Sequence, residues 1–187
     1  MTWNKGCARP LTYPRPAFHA RASAAAVMHN YSRQVSQALD HEHRASLEHF
    51  ERVERALVGG GNESEWPALA AALARQLEHE IGRHFDFEEK DLFPRMAEAG
   101  DADMVGLLLE EHHSIREVAG ELLPLARAMA KNALPAGERA TFKRLGLEMV
   151  ERMVSHIQKE SMSLLPTLED LLDEDTDREL AFAYAAG

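Results

Sequence analysis

Two stretches of the chain share one frame. HFDFEEKDLFP runs from His84 to Pro94 and HIQKESMSLLP from His156 to Pro166. In both, Glu follows His by four residues, Leu by eight and Pro by ten, and the copies lie 156 − 84 = 72 residues apart. On a helix, which turns about 100° per residue, positions four apart lie almost above one another. His84 then points with Glu88, and His156 with Glu160. Leu73, Leu77, Ile81 and Leu92 extend the first line, and Met149, Met153 and Leu164 the second. Both polar pairs therefore fall on apolar, core-facing stripes. A buried carboxylate is costly unless positive charge meets it, and a metal ion supplies that charge. One His-x3-Glu in a chain rich in both residues is expected by chance. Two copies with the same flanking Leu and Pro point to metal.

A site inside a helical core draws on every helix around it. His41, His43 and His49 precede the first copy, and His112 and His113 lie between the two. His43 lines up with Leu39, Leu47, Phe50 and Leu57, whereas His41 lines up with Arg44, Ala45, Glu48 and Arg52 and reads as solvated. His49 sits off the stripe. His112 shares its line with Val105, Leu108, Ile115, Ala119 and Leu122, and His113 shares its own with Arg116, Glu117 and Gly120. The candidate ligands are His43, His84, Glu88, His112, His156 and Glu160. Four imidazoles and two carboxylates are too many for one zinc and too rich in nitrogen for calcium or magnesium. They suit iron, manganese or a pair of such ions, with the histidines divided two per metal and the glutamates able to bridge.

The elements that must position these residues read as helices, rich in Ala, Leu and Glu. Helix A is expected over about 32–58, ended by the glycines that follow. Helix B is expected over 63–93, with Asn62 and Glu65 as a capping box and Pro94 closing or kinking its end. Helix C is expected over 102–131, with Asp101 as N-cap and Pro124 inside it. Helix D is expected over 136–172, bent by Pro166. A short helix at about 177–185 follows, capped by Thr176 with Glu179, and the acidic run LDEDTD at 172–177 reads as a solvated turn. Four long helices on short loops predict an all-α, up-down-up-down four-helix bundle over residues 32–172. It is preceded by an arm at 1–31, irregular over 1–20 and partly helical, and followed by a tail at 173–187. The recurrence of His-x3-Glu in B and D suggests two related halves, A with B and C with D.

Composition narrows the function classes. The 187 residues carry a net charge of −10, which disfavours nucleic acid and anionic membrane surfaces as partners. Cys7 is the one cysteine, so neither an intramolecular disulfide nor a thiolate metal site is expected. No apolar run is long enough for a membrane span. The N-terminal segment lacks the apolar core of a signal peptide, and a cytoplasmic location is expected.

The motifs together resemble the hemerythrin-like, or HHE cation-binding, family. The resemblance rests on His43, on HFDFEEKDLFP, on EEHHSIRE at 110–117 and on HIQKESMSLLP, and covers about residues 32–170. It implies a four-helix bundle around a non-haem di-iron centre, oxo- or hydroxo-bridged. His43 and His84 would bind one iron, His112 and His156 the other, and Glu88 and Glu160 both. The chain departs from the respiratory members: Leu108 stands where they place a further histidine, and the last carboxylate is Glu160, four residues after its histidine rather than an Asp five after. The set is closer to bacterial di-iron proteins of nitrosative stress and iron–sulfur repair, without their Cys-containing N-terminal domain. Two functions are implied. One is binding or sensing of O2, NO or peroxide. The other is a di-iron stress enzyme or iron donor. An apolar surround of Leu47, Phe50, Leu77, Leu108, Ile115 and Met153, with no core Lys or Tyr beyond Tyr31, favours the first.

Overall fold

The computed structural model describes residues 30–59 and 62–186. Of the arm expected at 1–31, residues 1–29, with Cys7, His19 and His29, lie outside the described residues. Residues 31–187 form one compact unit. The described residues are helical, without strands.

Helix A is α1, Gln34–Val58. Helix B opens with a 3₁₀ turn at Glu63–Glu65, continues as α2, Trp66–His79, then as the short α3, Phe85–Phe87, and α4, Phe93–Met96. Wide π turns join these pieces at Glu80–His84 and Glu88–Leu92. B therefore does not stop at Pro94. In the wide turn before it the Phe93 N–H bonds the Glu88 carbonyl, and the slack of that turn accommodates a residue with no N–H of its own. A third π turn, Ala97–Asp101, contains the reversal itself: Gly100 has φ 111°, a conformation glycine adopts without steric cost. Helix C is α5, Ala102–Ala130, and runs through Pro124. Helix D is α6, Arg139–Met162, and α7, Leu164–Leu171. The break falls at Ser163, three residues before Pro166, because the proline leaves the Met162 carbonyl without its helical N–H. A last helix, α8, spans Glu174–Ala186.

Three expected caps are corrected. Asn62 accepts the N–H of Ser64, one residue short of the capping box. Asp101 makes no side-chain cap, since the wide turn already carries the chain into α5. Asp173, not Thr176, caps α8 by accepting the Thr176 N–H at 2.8 Å. The acidic run is also more than a solvated turn. Asp177 is buried, and its carboxylate accepts the Gln34 and Val35 N–H groups at 2.8 and 3.0 Å, capping α1 from the far end of the chain.

Helix α1 packs on α6 and α8, α2 on α5, and α5 on α6. The apolar core has two parts. One holds Phe50, Leu57, Leu73, Leu77, Ile115, Phe142 and Met153. The other holds Leu39, Leu92, Phe93, Leu108, Leu164 and Leu168. Along α1 the chain passes from the second part to the first, along helix B from the first to the second, along α5 back, and along α6 and α7 forward again. This alternation is compatible with an up-down-up-down arrangement. On each helix the polar cluster falls at the crossing between the two parts.

Candidate metal centre

His84 ends one π turn and Glu88 begins the next. Such turns often mark functional sites, because the extra residue re-aims the side chains after it. His156 and Glu160 achieve the same spacing on an uninterrupted stretch of α6. All six candidate residues are buried, at 0–2% exposure. The structure brings them together in two overlapping groups, His43–His84–Glu88–Glu160 and Glu88–His112–His156–Glu160, and within each group one ligand atom per residue lies within 4.8 Å of the others.

The orientation is specific. His43 Nε2 faces His84 Nε2 at 3.4 Å, and His112 Nε2 faces His156 Nε2 at 3.2 Å. Glu88 divides its oxygens between the pairs, Oε1 at 3.2 Å from His84 and Oε2 at 3.4 Å from His112. Glu160 does the same, Oε1 at 3.1 Å from His156 and Oε2 at 3.2 Å from His43. Each histidine pair thus meets one oxygen from each glutamate.

Behind the cluster, the Nδ1 atoms are held by residues that sequence reasoning did not single out. Glu42 lies 3.1 Å from His84 Nδ1, Glu89 2.7 Å from His112 Nδ1 and Glu111 3.1 Å from His156 Nδ1. Ser161 Oγ lies 3.3 Å from His43 Nδ1. A carboxylate only accepts, so it holds the proton on Nδ1 and leaves Nε2 a bare lone pair aimed inward. The four carboxylate oxygens of Glu88 and Glu160 are buried without a hydrogen-bond donor. Lone pairs and negative charge converging in a dry core call for positive charge among them, from a bound metal ion or from protons on the imidazoles. The donor set fits a pair of metal ions with mixed imidazole and carboxylate preference.

Without a cation, the same carboxylates draw protons onto the imidazoles. Burial works against charge on His84, yet Glu88 and Glu42 outweigh it and raise its pKa well above the usual value. His112 and His156 are raised too, against burial, by Glu88 and Glu160. Burial also opposes ionisation of Glu88 and Glu160, but the surrounding histidines keep both carboxyls below the ordinary range. Glu42 is brought down to about 2: burial pushes it up, and hydrogen bonds from His84 and Tyr184 win.

The remaining residues sort clearly. His41 is exposed, and His113 is 77% exposed. His79, half exposed, has Nε2 3.6 Å from Glu42. His49, expected off the stripe, is buried on the wide inner face of α1. It joins neither group, and its pKa is lowered by burial and by Arg52 and Arg75. Phe85 does more than fill space, stacking on His112 with ring centroids 3.7 Å apart and 6° between planes. The expectation of no Lys or Tyr near the site beyond Tyr31 is corrected. The Tyr184 hydroxyl, on α8, donates to Glu42, and Lys159 donates to Glu111. Tyr184 lies 100 residues from His84 in the chain, so no helical period could reveal it. Glu42, Glu89 and Glu111 did leave a trace, since each sits next to a candidate ligand.

A buried cluster of imidazoles and carboxylates within packed helices defines a metal-cation-binding helical protein. The model of the hemerythrin HHE cation binding domain matches residues 34–175, and the chain belongs to that family. A comparison with curated proteins gives no match. Among the described residues, no helix is long and apolar enough to cross a membrane.

Proposed function

We propose that residues 32–172 form an up-down-up-down bundle holding two iron ions, which bind or sense a small ligand such as O2, NO or peroxide. His43 and His84 would hold one ion, His112 and His156 the other, with Glu88 and Glu160 shared. The observation that carries this reading is the split of each glutamate, one oxygen toward each histidine pair. Two ferrous ions there supply open coordination positions and electrons to an oxidising ligand. Among the described residues, the two groups offer four donors to each ion. Leu108, which stands where the respiratory relatives carry a further histidine, is a fully buried hydrocarbon side chain. Phe85, Leu77, Leu108, Ile115 and Met153 are buried in the two core parts on either side of the cluster; a surround so apolar disfavours proton delivery and favours reversible binding.

A specific observation supports the second reading, a stress enzyme acting on peroxide or NO, or an iron donor. Tyr184 and Lys159 place O–H and N–H groups on the carboxylates that hold His84 and His156. Each links a cluster histidine to a group able to pass a proton. Metal analysis with an ultraviolet–visible spectrum of the oxidised protein tests the common core. The expected result is two irons per chain and the charge-transfer absorption of a bridged diferric pair. Fewer than two irons per chain would overturn it. Multiple turnovers of peroxide or NO would select the enzyme, and a stable reversible adduct the binding protein.

A further inference from the structure

The groups holding the four Nδ1 atoms form a closed ring around the helices. Glu42 on α1 holds His84 of helix B, Glu89 of helix B holds His112 on α5, Glu111 on α5 holds His156 on α6, and Ser161 on α6 holds His43 on α1. Each holder is the chain neighbour of a cluster residue on its own helix, and it reaches across to the next. Exchange of the two halves maps Glu42 on Glu111, His84 on His156 and Glu88 on Glu160. It therefore maps Glu89, one residue past the first shared glutamate, on Ser161, one residue past the second. The ring departs from its own symmetry at that one link, where a neutral hydroxyl replaces a carboxylate.

We infer that the two metal positions are unequal, and that the His43–His84 position is the labile one, from which an ion exchanges or is given up first. This rests on the ligand assignment proposed above. A carboxylate on Nδ1 makes Nε2 a stronger donor and fixes the ring; a serine hydroxyl does the second only weakly. The His112–His156 position has two such carboxylates and the His43–His84 position has one. Arg116 and Lys159 draw on Glu89 and Glu111, and Tyr184 on Glu42. Arg116 and Lys159 are 33% and 37% exposed, so water screens them, and they act one bond further from the ring than the carboxylates they anchor. The difference at Ser161 therefore decides the order.

Release of iron from the full-length, ferrous-loaded protein into excess chelator under anaerobic conditions tests this. Two phases of equal amplitude are expected, separated by roughly 10- to 100-fold, the usual effect of losing one such partner. Ser161→Glu, which places a carboxylate where Glu89 stands in the other half, should slow the fast phase and leave the slow one in place. Glu89→Gln, which keeps the side chain's volume and removes its charge, should speed the slow phase until the two merge. A single phase from the unaltered protein, or two phases that neither variant moves, would overturn the inference while leaving the ligand assignment standing. Fewer than two irons on the unaltered protein would remove the assignment itself, and the inference with it. Should Ser161→Glu not fold, Glu89→Gln decides alone.

Discussion

Replacing Glu88 by Gln removes the one group that helix B gives to both histidine pairs. The volume is kept; one carboxylate oxygen becomes an NH2 group that cannot bind a cation. Glu88 is fully buried, with one oxygen 3.2 Å from His84 and the other 3.4 Å from His112. If each ion is present at about 100 times its dissociation constant, each site stabilises the folded chain by about 2.7 kcal/mol, so two contribute about 5.4 kcal/mol. For a chain of this size that raises the melting temperature by roughly 10–20 °C. The assay is thermal melting of the purified protein with manganese(II), which is redox-stable in air, and again with chelator. The quantity of interest is the difference between the two conditions within each protein. The comparison is made within each protein because Glu88→Gln also breaks the buried His84–Glu88 pair of the metal-free chain, which by itself costs about 3 kcal/mol or more. The unaltered chain should show the full shift, and Glu88→Gln less than half of it. A variant that keeps two ions and the full shift would refute the view that this carboxylate is shared. A chain that melts identically with metal and with chelator would refute the metal reading altogether.

Other outcomes follow from the same geometry. His41→Ala and His113→Ala, on exposed positions, should retain the metal content of the unaltered protein, whereas His156→Ala should lose stoichiometric binding of the second ion; elemental analysis decides. In the metal-free chain, the raised histidines contribute stability that is full below their ordinary 6.5 and is lost as pH rises through their raised values. The lowered Glu88 and Glu160 contribute stability present above 4.5 and lost as pH falls through their lowered values. Chelated protein should therefore melt highest between those limits and lower above pH 7. The extra stability from metal, which must displace those protons, should grow as pH rises. Asp177→Ala strips two N–H groups of α1 of their acceptor and should cost about 1 kcal/mol, a fall of about 2–4 °C with metal content unchanged.

Much of this could be read along single helices. Rotation of 100° per residue separates His43 from His41 and His112 from His113, and it stacks each glutamate on its histidine. The expected helices A and C lie within two residues of α1 and α5. The same rule failed where the inner face is broad, as at His49, and where the helix stops being regular. The π turns at Glu80–His84 and Glu88–Leu92 and the run past Pro94 have no periodic signature.

The sequence by itself determined that the chain is helical and that the six cluster side chains face inward, because both follow from local composition and a fixed angular step. Only the tertiary structure decided which group on one helix meets which on the next: Glu42 behind His84, Ser161 behind His43, Asp177 at the start of α1, Tyr184 on Glu42. Those pairings depend on how far one helix slides along another. That offset is set by the packing of the two apolar parts of the core around the cluster, and no repeat within a single helix encodes it.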